Sequence, residues 1–174
     1  LDELLVLASR PAIAAWRQAV ESRLLPRLNP DFPLVAAVCG GGSSGKSTLF
    51  NSLIGERTSP TGGQAGINRR MLMALSREHA DTPQVAETLF DPLGCRPQPL
   101  TDMTEATVPG DPLLYYTPGL PPGIALVDTP DFDTGAGGAY TNREVARQAL
   151  EASDVIIYLF TNSNYSNRDN SDFV

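Results

Sequence analysis

Leu34-Val35-Ala36-Ala37-Val38-Cys39-Gly40-Gly41-Gly42-Ser43-Ser44-Gly45-Lys46-Ser47-Thr48-Leu49-Phe50 is the stretch that decides how this chain folds. It opens on an unbroken apolar run, the signature of a short strand buried on both faces in a parallel sheet. Glycines follow at once. From Lys46 onward, Leu49, Phe50, Leu53 and Ile54 recur at helical spacing, and Gly55 supplies a C-terminal stop. The order is therefore strand, glycine loop, helix.

Residues 40–47 satisfy the P-loop pattern of a glycine, four residues and Gly-Lys-Ser, in the strand-to-helix context the chemistry needs. A polyphosphate requires several backbone N–H groups converging on it. Glycines let the loop wrap without Cβ clashes, and the helix that follows adds its positive N-terminal dipole. The expected nucleotide contacts are Gly40, Gly42, Ser43, Ser44, Gly45, Lys46, Ser47 and Thr48, with Lys46 bridging the terminal phosphates and the Ser47 hydroxyl turned to Mg²⁺. Asp128 closes a second apolar run, Ile124-Ala125-Leu126-Val127, and is followed by Thr129-Pro130. In a P-loop fold that places its carboxylate beside the first strand, facing the metal through water.

Outward from this centre, residues 1–28 read as helix in two parts, with Ser9 and Pro11 marking a stop and restart. Ile13, Trp16, Val20 and Leu24 form one stripe, expected to dock on the main domain, and Trp16 reads as core. Pro26, Pro30 and Pro33 end the pattern and put the boundary between an N-terminal helical segment, 1–33, and the main domain, 34–174. Residues 56–70 carry no periodicity and read as a mobile loop. Met71-Leu72-Met73-Ala74-Leu75 reads as a strand. The Pro-studded stretch 81–122 reads as an insertion, with a helical piece at 84–90 and an extended piece at 113–116. A helix over 142–152 and a strand at 155–160, with Tyr158 in the core, complete the alternation of an α/β sandwich.

The chain has 174 residues, with 13 Lys+Arg against 20 Asp+Glu and a formal charge of −7. That balance removes long-range attraction for phosphate backbones and anionic lipid, so no nucleic-acid contact is evident. The 15 Gly and 15 Pro imply long shaped loops. Cys39 and Cys95 stand outside any metal-ligand spacing, which fits a reducing, cytoplasmic setting. No apolar run is long enough to span a membrane. The chain opens on Leu1 without a signal peptide or an initiator methionine, as a trimmed piece does. His79, in a polar stretch, reads as a solvated loop residue, and Arg69-Arg70 as a strand-edge pair rather than an internal arginine finger.

At Gly45-Lys46-Ser47-Thr48-Leu49-Phe50-Asn51-Ser52-Leu53-Ile54-Gly55 and Val127-Asp128-Thr129-Pro130 the chain resembles the GTPases of the translation-factor class, Era-type and above all dynamin-like. Ser43, before Ser44-Gly45-Lys46, is similar to the dynamin-loop serine that helps position transition-state charge, and Pro118-Gly119-Leu120-Pro121-Pro122-Gly123 is similar to the turn that leads into the third motif. The resemblance covers about 34–160. It implies a three-layer P-loop NTPase sandwich with a mostly parallel sheet, and a Mg²⁺-dependent GTPase that takes GTP and releases GDP. Lys46 and Ser43 would be catalytic. Turnover would be slow alone and accelerated when two copies pair through the nucleotide face.

The chain departs from the family pattern at named positions. Asp131 replaces the glycine of Asp-x-x-Gly, and Phe132 stands where Ras-like enzymes carry a water-orienting Gln. Ala65-Gly66-Ile67-Asn68-Arg69-Arg70 resembles the first switch, with Asn68 in place of the Mg²⁺-binding Thr, so Thr61, Thr58 and Asn68 all stand as residues that could close over the metal. No Lys-x-Asp base-reading motif is present, and the C-terminal part of the G domain is expected to lie beyond Val174, as is any part that touches membrane. A non-hydrolysing guanine-nucleotide switch or scaffold, and an ATP-using P-loop enzyme, are the competing readings.

Overall fold

The computed structural model describes residues 11–62, 67–130 and 139–161. Its strands are β1 (Leu34–Gly40), β2 (Leu72–Ser76), β3 (Gln98–Pro99), β4 (Leu113–Thr117), β5 (Ile124–Asp128) and β6 (Val155–Leu159). They form one sheet in the order β3-β4-β2-β5-β1-β6. Every pairing is parallel except β2 against β5. The α-helices among the described residues are α1 (Pro11–Ala19), α2 (Lys46–Ile54), α3 (Pro83–Phe90) and α4 (Ala139–Glu151).

Strand period decides which side chain meets which layer. Ala36 and Val38 face α2, where Phe50, Ile54 and Leu126 complete one apolar cluster. Val35 and Ala37 face the other way, into a cluster with Leu89 and Phe90 of α3, Ala149 of α4, Ala125 and Val127. Both faces are covered, which is why the run at 34–39 shows no polar alternation. Fully buried Phe50 and Ile54 each contribute about 2–3 kcal/mol of hydrophobic stabilisation. Leu126 and Asp128 lie two residues apart and share a strand face. The parity that buries Leu126 against α2 therefore turns the Asp128 carboxylate toward the start of the same helix.

The stretch expected as an insertion belongs to the core. β4 pairs with β2 inside the sheet, Leu113 is fully buried, and α3 buries Ala86, Leu89 and Phe90. The two-residue strand β3 sits at the edge, where Pro99 costs no interior ladder bond. His79 is not solvated: it is buried in a 3₁₀ turn, with Nε2 2.7 Å from the Pro122 carbonyl oxygen, tying that turn to the entry of β5.

The N-terminal stripe also differs from expectation. Residues 1–10 lie outside the described part, as do Ser9 and the expected stop. From Pro11 the chain is helical, opens into a π turn at Val20–Leu24 and ends in a 3₁₀ turn at Pro26–Leu28. Trp16 is 69% exposed and Leu24 58%, so neither is core and the stripe does not dock on the sheet. Helical period reports an apolar face, and the described residues provide no surface for it. The attachment lies at Arg27, which pairs with Asp154 through Nε and donates through Nη2 to the Ala152 carbonyl at 2.9 Å. Asp154 in turn accepts from the Val35 N–H at 2.9 Å, which joins the segment to the start of β1. Tyr158, expected in the core, is half-buried on edge strand β6.

Candidate functional site

The loop between β1 and α2 takes a shape few sequences permit. Gly40 has φ +151°, and a Cβ there would meet the Leu159 carbonyl oxygen at 2.5 Å and Ser44 Oγ at 2.9 Å. Gly45, the N-cap of α2, has φ +93°. Ser43 is a non-glycine residue in the left-handed region, φ +59°, at the exposed crest of the loop. Such alternation of backbone handedness turns successive N–H groups inward as an anion nest. A cleft of about 50 Å³ opens above it, lined by Ser43, Lys46, Ser47, Thr61 and Asn68 among others.

Lys46 begins α2 and is only 4% exposed, with Nζ donating to the Gly41 carbonyl at 2.8 Å. An ammonium held against the loop's own carbonyl is positioned for an anion arriving in that loop. Cys39 lies one strand position before the glycines; burial pushes its thiol up to about 11, against the pull of the Lys46 charge, so it is a neutral packing residue. Cys39 and Cys95 are both free thiols.

Asp128, 1% exposed at the end of β5, gathers the polar groups of the site. Its Oδ2 accepts from Ser47 Oγ at 2.9 Å, from Ser59 Oγ at 2.6 Å and from Asn68 Nδ2 at 3.1 Å. Asn68 Nδ2 also donates to Ser47 Oγ at 2.7 Å and to Ser59 Oγ at 2.9 Å. Thr129 follows, fully buried, with Oγ1 donating to the Val38 carbonyl at 3.0 Å and locking β5 to β1. The oxygens of Ser47, Ser59 and Asp128 thus converge on one point. Hard, small and partly anionic, that set fits Mg²⁺, which takes one or two protein carboxylates and hydroxyls and completes its shell with water and phosphate. The described residues hold no cluster of three or more His, Cys, Asp or Glu that could bind a metal, so such a cation would depend on this mixed set and on phosphate.

The loop after α2 is held where its polar composition reads as mobile. Asn51, in α2, accepts at Oδ1 from the Thr58 N–H at 3.0 Å and the Ser59 N–H at 2.9 Å, and donates through Nδ2 to the Ser59 carbonyl at 2.8 Å. Glu56, just past the Gly55 cap of α2, accepts from Thr117 Oγ1 at 2.6 Å and from the Tyr115 hydroxyl. Those hydrogen bonds, the one from Thr117 foremost, hold its pKa below the usual glutamate value. Residues 63–66 lie outside the described part, as do Asp131, Phe132 and Asp133.

The geometry brings Lys46, Ser47, Asp128 and Asn68 together. Thr61 sits at the cleft mouth, its hydroxyl 3.4 Å from an Arg57 guanidinium nitrogen, and Thr58 is buried beside Asn51. Arg69 is exposed at its side chain, and Arg70 donates to Gln98 Oε1 at 3.2 Å, away from the loop. Ser59 and Asn51 were not singled out by the sequence. Ser59 stands in an aperiodic stretch 69 positions from Asp128, with no local signal to mark it.

A family model described as the dynamin family matches residues 36–174. Among solved structures, the fold is similar to that of an oligomerised bacterial dynamin pair, described as a mechanism for long-range sensing and tethering of membranes, with a TM-score of 0.50 and 16% identity over 98% of this chain and 28% of that one. It is also similar to Era of Aquifex aeolicus bound to GDP and aluminium fluoride, with a TM-score of 0.47 and 18% identity over 79% of this chain and 34% of that one. The chain therefore spans about a third or less of the length of these structures. No curated protein matches it. Among the described residues no helix is long and apolar enough to cross a membrane.

Proposed function

The chain belongs to the dynamin family, and on that premise we propose that it binds and hydrolyses GTP in a Mg²⁺-dependent reaction at the β1–α2 loop. The observation that carries this is the convergence of Ser47 and Asp128, 2.9 Å apart, beside a buried Lys46 at the mouth of a left-handed glycine loop. In this reading the loop amides of residues 40–48 and the α2 dipole bind the phosphates. Lys46 releases the Gly41 carbonyl and moves its charge to the β- and γ-phosphate oxygens, where negative charge grows as the terminal bond breaks. Ser43, exposed at the crest, stands where a side chain can add a hydrogen bond to the transferred group. Mg²⁺, when bound by Ser47, Asp128 and the first switch, supplies neutralisation of the phosphate oxygens.

Two finer points belong to the same reading. Two copies pair across the nucleotide face and speed each other's turnover, a behaviour supported by the exposure of Ser43 on that face and by the oligomerised description of the bacterial dynamin neighbour. A cytoplasmic location is supported by the two free thiols. The test is phosphate release from GTP, with ATP as competitor. Lys46→Ala should lower turnover by roughly 100-fold or more. Unchanged GTP turnover in that variant, or ATP displacing GTP at equal concentration, would overturn the reading. Tight GTP binding without repeated turnover at any protein concentration would favour the non-hydrolysing switch, a reading motivated by Asn68 in the position of the switch threonine.

A further inference from the structure

We propose that Ser59 is a metal-site residue of this chain, and that the Asn68 side-chain amide is a built-in stand-in for the divalent cation, holding the site closed until the cation displaces it. The inference rests on the assignment of Ser47 and Asp128 to the metal end of the nucleotide site.

Ser59 is wholly buried, and its backbone is fastened to α2 at both its N–H and its carbonyl by Asn51. A loop serine without a regular element of its own is thereby carried by a helix to within 2.6 Å of Asp128 Oδ2. Ser47 and Ser59 both spend their hydroxyl protons on that carboxylate oxygen. Their remaining lone pairs, with those of Asp128, point at one location, and there Asn68 Nδ2 lies 2.7, 2.9 and 3.1 Å from the three oxygens. With both hydroxyl protons given to Asp128, a reversed amide would set Oδ1 against the carboxylate and the hydroxyl lone pairs, which favours the nitrogen there.

An amide N–H pair carries only partial positive charge, and it faces three acceptors with two protons. The other end of the amide is worse placed. Asn68 is 6% exposed and its Oδ1 has no hydrogen-bond partner among the described residues, an arrangement that costs free energy. A divalent cation resolves both conditions together. Ser47, Ser59 and Asp128 would hold it through the three oxygens that the N–H groups served, and the Asn68 side chain, drawn back from that position and turned about χ2, would offer Oδ1 as a neutral oxygen. One side chain thus carries a donor for the metal-free ring and an acceptor for the loaded one. In the metal-free form the Asn68 nitrogen occupies the place of the cation, so apparent cation affinity is lowered by the population of that closed form.

The experiment is a Mn²⁺ titration followed by electron paramagnetic resonance in saturating GDP, paired with thermal unfolding in chelator and in Mn²⁺. Ser59→Ala should weaken Mn²⁺ by roughly 10-fold or more, as loss of a group around a metal commonly does. If Ser59→Ala does not fold, Ser59→Cys keeps the volume, removes the hard oxygen and reads the same affinity. Asn68→Asp places a second carboxylate against Asp128, so it should lower the unfolding midpoint in chelator and gain more from Mn²⁺ than the unmodified protein does. Unchanged Mn²⁺ affinity in the Ser59 variants while Ser47→Ala loses it would overturn the proposal and leave the metal assignment standing, as would an unmodified chelator midpoint in Asn68→Asp. Absence of GDP-dependent Mn²⁺ binding in every form, the unmodified protein included, would remove the underlying assignment and the proposal with it.

Discussion

The ring around Asp128 and the segment around Trp16 are opposites built from the same chain. In the ring, polar side chains from β5, α2 and two points of one loop are buried and hydrogen-bonded to one another. In the N-terminal segment, Trp16, Leu24, Leu25 and Leu28 are exposed, and the polar ties to the domain are Arg27, on Asp154 and the Ala152 carbonyl, and Arg23 beside Glu151. Burial is thus reversed with respect to polarity. The comparison teaches that a polar cluster can be the rigid part of a domain when every donor finds an acceptor, while an apolar stripe stabilises nothing until a surface meets it.

Removing the centre of the ring is the hardest blow. Asp128→Ala leaves two hydroxyls and an amide without their common acceptor inside the protein. Chemical denaturation should show a loss of about 1–3 kcal/mol, together with loss of GTP turnover; a variant as stable as the parent would mean the ring is not closed in solution. Gly40→Ala asks whether the loop's shape is as constrained as its φ of +151° and the 2.5 Å approach to the Leu159 carbonyl imply. Overpacking against backbone should cost about 1–3 kcal/mol and weaken GDP binding, and GDP affinity equal to the parent's would show that the loop relaxes freely.

On the N-terminal side the effects should be smaller. Arg27→Ala breaks a pair whose side chains are about a quarter exposed, so after solvent screening the loss should be about 0.2–1 kcal/mol and should shrink further in high salt. Limited proteolysis should then cut within residues 11–28 sooner than in the parent; equal protection would show that Arg23 beside Glu151 is enough to hold the segment. Trp16→Ala should change the unfolding free energy by no more than about 0.5 kcal/mol. A loss several times larger would show that Trp16 packs against something in solution and would close the gap between the two regions.

Much of the fold was legible because its signals are local. The unbroken apolar run at 34–39 has one reading when glycines follow it, and the β1–loop–α2 unit formed as expected, ending at Gly55. The strand at Leu72–Ser76, the helix at Pro83–Phe90 and the strand at Val155–Leu159 also answered to period and composition. The misreadings came from questions of partnership. Trp16 looked like core because its spacing is amphipathic, residues 81–122 looked like an insertion because their prolines surround the short strand β4, and His79 looked solvated because its neighbours in sequence are polar. For β4 and His79 the deciding partners, β2 and the Pro122 carbonyl, are remote in sequence, and for Trp16 the described residues offer no partner.

The sequence by itself determined the glycine loop between β1 and α2, the carboxylate at the end of β5 and the resemblance to the dynamin family, because each depends on residues within a few positions of one another. Only the tertiary structure decided that Ser59 and Asn68 join Ser47 at Asp128 while Thr61 stays at the rim. The sheet brings the end of β5 beside the start of α2, and Asn51 fastens the loop so that one serine of an aperiodic stretch lies within 2.6 Å of the carboxylate. Hydrogen-bond partnership across 69 positions is set by how strands stack and how a loop is tethered, and no pattern along the chain encodes it.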